Sequence, residues 1–225
     1  MFSEQSPQPV AATPPGAALE TPSLSPEQKA QLQTAQKQLD AIMHAAEAAH
    51  REFVGQTLFG VITAIWPFIF GGWDVSVLIM GIWMVAGGLV EGFGEKQIKR
   101  LNAKVFALLT MNQILLGLMF SVIGAWWIVE VYNGRDIKDV NETAKYFQPL
   151  VWAHQLVGNP VSHGQVVSWA KWTLYITYGS VVVFGFGWQG FMAGYYVYRG
   201  RQMARYLKAT PKWILQKQRT ALFGQ

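Results

Sequence analysis

Apolar residues follow two patterns along this chain, and the switch between them defines its organisation. From Leu32 to Phe53 they recur at alternating spacings of three and four: Leu32, Ala35, Leu39, Ile42, Ala46, Ala49 and Phe53. This is one face of an amphipathic helix about three heptads long. Ser25-Pro26-Glu27-Gln28 opens it, with Ser25 as cap, Pro26 at the first helical position and Gln28 closing the box. The seam is rich in alanine, so two readings stand level: packing on the chain's own surface or the membrane, and a short coiled coil with a partner.

Beyond Phe53 the stripe gives way to long apolar runs at about 53–70, 75–93, 105–132 and 170–198. Roughly 20 apolar residues cross a bilayer, so the last two runs are ample and the first two just sufficient. The predicted fold class is all-α: an integral membrane protein with four transmembrane helices and an N-terminal amphipathic extension over 25–52. Gly71-Gly72 is expected to turn the first pair into a hairpin, with Trp66 and Trp73 near the interface. In the intervening 133–169 segment, Asp139 is expected to cap a short helix with Glu142 completing the box. Tyr146, Phe147, Leu150 and Val151 form its apolar face, and Pro149 splits or ends it.

The two ends differ in kind. Residues 1–24 form a Pro- and Ala-rich arm, expected to be disordered or ordered by a partner; no basic residue precedes Lys29, so neither a secretory nor a mitochondrial targeting pattern is present. Residues 199–225 form a basic tail in which Thr210-Pro211 restarts a helix, with Trp213, Ile214 and Leu215 available to bury.

Composition supports the membrane reading, because only 14% of residues are charged against about 25% in soluble domains. The net charge of +5 matters through its placement. Apart from Arg135, Lys138, Lys145 and Lys171, every Lys and Arg lies before residue 52, between the second and third runs, or after the fourth. By the positive-inside rule both termini are cytoplasmic and 133–169 is outside. The expected location is a bacterial cytoplasmic membrane. The basic tail is expected to touch anionic lipid heads or a partner rather than nucleic acid. Cysteine is absent, which excludes disulfides and thiolate chemistry.

One motif suggests chemistry at first sight. Gly185-x-Gly187-x-x-Gly190 matches the dinucleotide fingerprint, but that fingerprint works only between a strand and the start of a helix. Inside a membrane helix the amides are already bonded, so the nucleotide reading is rejected. The glycines are expected instead to admit a neighbouring helix. Gly187, Gly190 and Gly194 form that face on the fourth span, Gly88 and Gly92 with Gly81 on the second, and Gly117 and Ser121 with Gly124 on the third. Gly185, on another side, is expected to tolerate a larger residue.

Asn112, Gln113 and Gln189 are the most deeply placed polar residues. Asn112 and Gln189 are expected at similar depth, hydrogen-bonded across helices directly or through Thr110 or Thr63. Glu91 is expected to pair with Lys96 or Arg100 at the interface, leaving no ionisable residue central in a span. His44, His50, His154 and His163 all lie outside the spans, which excludes haem or pigment ligation by intramembrane histidine. Glu47-x-x-His50 is a single copy of a di-iron unit that needs two, so no metal, other cofactor or catalytic residue is expected; bound lipids are. The expected function is a non-catalytic accessory subunit of a larger membrane complex, partnered by other membrane subunits. Respiratory or photosynthetic assemblies are natural hosts by analogy. The alternative is an oligomeric channel or small transporter with a polar path at Asn112, Gln113 and Gln189, with Thr63 beside them.

Overall fold

A computed structural model describes residues 24–70, 75–135, 137–158 and 161–223. Residues 1–23 of the arm and the expected Gly71-Gly72 turn with Trp73 lie outside them. All described elements are helices: α1 (Pro26–Phe70), α2 (Val75–Lys99), α3 (Val105–Tyr132), α4 (Ile137–Lys145), α5 (Gln148–Leu156), α6 (His163–Ala209) and α7 (Lys212–Phe223).

The amphipathic extension and the first span are one helix. The Ser25 hydroxyl accepts from the Gln28 amide at 3.2 Å, and the Gln28 side chain accepts from the Ser25 amide at 3.0 Å, so the expected box forms. Pro67 lies inside the helix, near its end. At 1.5 Å per residue, α1 and α6 are each roughly twice as long as the ~30 Å hydrocarbon layer is thick. Their surplus forms a core outside the apolar region. Ala35, Leu39, Ile42, Ala46 and Ala49 are buried there in one cluster with Met203, Tyr206 and Ile214. The seam therefore packs on its own chain.

Three helices, α1, α2 and α3, are long and apolar enough to cross a membrane. The fourth expected span does not reach that standard among the described residues. In α6, Trp, Tyr, Gly and Gln dilute the apolar run, although the helix is 47 residues long. It begins at His163, earlier than expected, behind a box formed by Ser162 and Gln165.

Backbones approach closely at particular glycines. The α1–α2 pair is antiparallel: a Cβ on Gly81 would lie 2.4 Å from the Ala64 amide nitrogen, one on Gly88 2.4 Å from the Thr57 hydroxyl, and one on Gly92 3.0 Å from the Phe53 ring. The α3–α6 pair is antiparallel too, and in register over its length. Phe106 lies against Gly200, Gly117 against Gln189, Phe120 against Gly185, and Gly124 against Val182. Ser121 turns its hydroxyl back onto the Gly117 carbonyl of its own helix, at 2.8 Å.

On α6 the expected glycine face meets no helix of this chain, and Gly185, expected to tolerate a larger residue, is the one packed within it. A Cβ on Gly187, Gly190 or Gly194 would meet nothing within 4 Å, whereas one on Gly185 would lie 2.5 Å from Phe120 Cβ. The helical turn carries Gly185, Gln189, Ala193 and Tyr196 toward the bundle and leaves the other three glycines facing outward. The fingerprint glycines lie mid-helix, where no phosphate cradle exists.

Between α3 and α6, Asp139 falls within the first turn of α4 instead of capping it, because the helix starts two residues earlier. Glu142 pairs with Lys145 at 2.6 Å. The expected split occurs, with Pro149 in the first turn of α5. Val140 and Ala144 of α4 are buried with Val131, Val166 and Ala170 at this end of the bundle. At the other end, Thr210 ends α6 and Pro211 precedes α7, whose Ile214 is buried.

Candidate functional site

Two stripes run along α2. Gly81, Gly88 and Gly92 face α1; Gly87, Glu91, Gly94 and Ile98, spaced four, three and four apart, are buried on the other side. The second stripe carries a carboxylate into the bundle, where Leu109 packs on Gly94 and Leu116 on Gly87. Glu91 is fully buried between α2, α3 and α6.

Three neutral side chains hold this carboxylate. Asn112 Nδ2 and Gln113 Nε2 donate to Oε1 at 2.9 and 2.6 Å, and the Tyr196 hydroxyl donates to Oε2 at 2.6 Å. Asn112 Nδ2 also reaches the Gly87 carbonyl at 3.1 Å. Removing a carboxylate from water costs several kcal/mol even after relaxation, and donors to both oxygens offset part of this. The expected pairing of Glu91 with Lys96 or Arg100 is absent. Its position on the inward stripe, rather than toward the loop, is the reason.

A second polar string lies beside the first. Glu52 of α1 accepts from Gln56 Nε2 at 2.8 Å and from Trp188 Nε1 of α6 at 3.1 Å, tying the two helices together. Gln189, one residue on, is 6% exposed and makes no hydrogen bond to any described residue. Of the residues expected to bridge helices, Asn112 and Gln113 do so, and Gln189 does not. The antiparallel register places Gln189 opposite Gly117, more than a turn along α3 from Asn112. The Thr110 hydroxyl is bound to the Phe106 carbonyl of its own helix at 2.7 Å.

Outside the apolar region the Glu-x-x-His unit is split between partners. His44 Nδ1 lies 3.2 Å from Glu47, while His50 Nδ1 lies 2.9 Å from Glu95, which also binds Lys99 at 2.5 Å. His154 lies beside Trp169, with ring centroids 6.3 Å apart. Among the described residues no three His, Cys, Asp or Glu converge as a metal site.

Comparison of the chain with protein-family models, curated proteins and solved structures finds no match. The roles of Glu91, Tyr196, Glu52 and Gln56 were missed in the sequence. For Glu91 a signal existed: it falls in line with Gly87 and Gly94 at helical spacing. For Tyr196 and Glu52 there was none, because their partners lie 105 and 136 residues away.

Proposed function

We propose that this chain is a four-span, non-catalytic subunit of a larger membrane assembly, with both termini on the cytoplasmic side of a bacterial membrane. The fourth span is α6, which stays in register along α3, a helix apolar enough to span. Two helices packed along their lengths share one environment. Val183, Phe184 and Phe186 of α6 stand exposed at 63–74%, which suits lipid tails and not water. The orientation follows from the basic residues, which gather at the end holding the first turns of α1, the α2–α3 connection and α7.

The subunit reading rests on one observation: Gly187, Gly190 and Gly194 face outward with nothing against them. Glycine within a helix costs about 0.5–1 kcal/mol relative to alanine, and three on one outer surface bring no return within the chain. Close approach by a helix of another chain would supply it.

Gentle purification from the native membrane tests this. Co-migration with a defined set of other subunits is expected, as is loss of those subunits in Gly190→Leu with the chain's own fold intact. A homo-oligomer that conducts ions in liposomes would favour the channel reading and overturn this one.

A further inference from the structure

We propose that the crevice between α1 and α6 binds a membrane-soluble ligand whose apolar body carries a hydroxyl hydrogen-bond donor. The inference rests on the proposed span of α6 and not on the subunit reading. A cavity of about 310 Å³ lies there, its walls including Phe59, Phe120, Phe184 and Trp188 with Gln56 and Gln189 between them. That volume falls at the lower end of the range for small-molecule sites, roughly 300–1,000 Å³. Phe59 and Phe184 are exposed on the outer surface, so the cavity opens sideways, toward lipid.

The polar groups select the ligand. Gln189 is more than nine-tenths buried, and its Oε1 has no partner. Gln56 Oε1 is likewise buried and unpartnered, while its Nε2 is committed to Glu52. Hydrocarbon cannot satisfy an amide oxygen, so an unpaired one beside a lipid-facing cavity calls for a donor from the occupant. A ligand with only ether or ketone oxygens has none. A hydroxyl donates to Gln189 Oε1, and its oxygen can accept from the same amide's nitrogen. Trp188 spends its N–H on Glu52 and presents its ring face, stacked nearly parallel to Phe184 with centroids 6.4 Å apart. Those walls suit an apolar body. A hydroquinone and a glyceride alcohol share this chemistry.

The test uses the full chain in detergent, titrated with tetramethylhydroquinone kept reduced, with its dimethyl ether, and with dioctanoylglycerol. At least one of the two hydroxyl probes should bind at least tenfold more tightly than the ether, and the tighter of them identifies the source. Gln189→Leu should weaken that binding at least tenfold while leaving the Tm of the unliganded chain unchanged or higher, because it removes an unpaired amide. Phe184→Ala, on the outer wall, should weaken it severalfold and serves if Gln189→Leu does not fold. Ether and hydroxyl probes binding alike, no binding of either hydroxyl probe, or unaltered binding in both variants would overturn the proposal.

Discussion

The Tyr196 hydroxyl donates to Glu91 Oε2 across 2.6 Å, joining α6 to α2 although 105 residues separate the two. Neither side chain exposes surface, so water cannot replace a lost partner. Tyr196→Phe should therefore cost about 1–3 kcal/mol in unfolding from detergent micelles, above the ~0.6 kcal/mol average of membrane hydrogen bonds. A double-mutant cycle with Glu91→Leu isolates the pair, and zero coupling would remove this bond from the account.

What was legible in the sequence was what depends on near neighbours. The Ser25 and Gln28 box, the division at Pro149 and the pause at Thr210-Pro211 are all local events, and each is found. Which side of a glycine-rich helix faces inward is not local. On α6 every side carries small residues, and the choice of Gly185 over Gly187 rests on where Phe120 of α3 stands. The same limit hid the site. Asn112 and Gln113 announce a polar layer by themselves, but a glutamate five residues before Lys96 looks like an interfacial ion pair until α3 and α6 are placed around it.

The glycine geometry separates two positions of equal composition. Gly81→Ala would set a methyl 2.4 Å from the Ala64 amide nitrogen, so the α1 and α2 backbones must part. Overpacking of this kind costs about 1–3 kcal/mol. Gly187→Ala meets nothing within 4 Å and should gain up to about 1 kcal/mol of helix propensity in the isolated chain. Thermal unfolding of the two variants should move in opposite directions; a common shift would refute the assigned faces.

Leu101 offers a test of backbone strain. It ends α2 in the left-handed region at φ 56°, with its amide on the Ile98 carbonyl at 2.8 Å and the Asn102 amide on Gln97 at 3.1 Å. That is a Schellman turn, whose left-handed position is usually glycine. Leucine is held there because its side chain is buried, at 3% exposure. Leu101→Ala loses the burial and keeps the strain, whereas Leu101→Gly loses the burial and relieves it. Both should destabilise, but the glycine variant should be the more stable by about 1 kcal/mol. The usual helix order, alanine above glycine, would contradict this reading of the turn.

The docking of α7 should fail in alkali. Tyr206 of α6 is buried and donates its hydroxyl to Gln218 Oε1 of α7, itself buried. Burial holds the Tyr206 phenol above its ordinary value, and the contacts with Gln218 and Thr210 counter this only in part. A folded-state value above the unfolded one means that the stabilisation is fully present below the unfolded value, about pH 10. It is lost as pH rises through the folded value. Stability should thus be flat in this term through neutrality and fall above about pH 10. Trp213, beside the buried Ile214 on α7, gives a fluorescence reading of the docked helix. Tyr206→Phe has no phenolic proton to lose, so its α7 should remain docked to higher pH than in the parent chain, at the cost of the Gln218 hydrogen bond near neutrality. Identical alkaline midpoints in the two proteins would show that another group, such as a lysine of the basic tail, governs the transition.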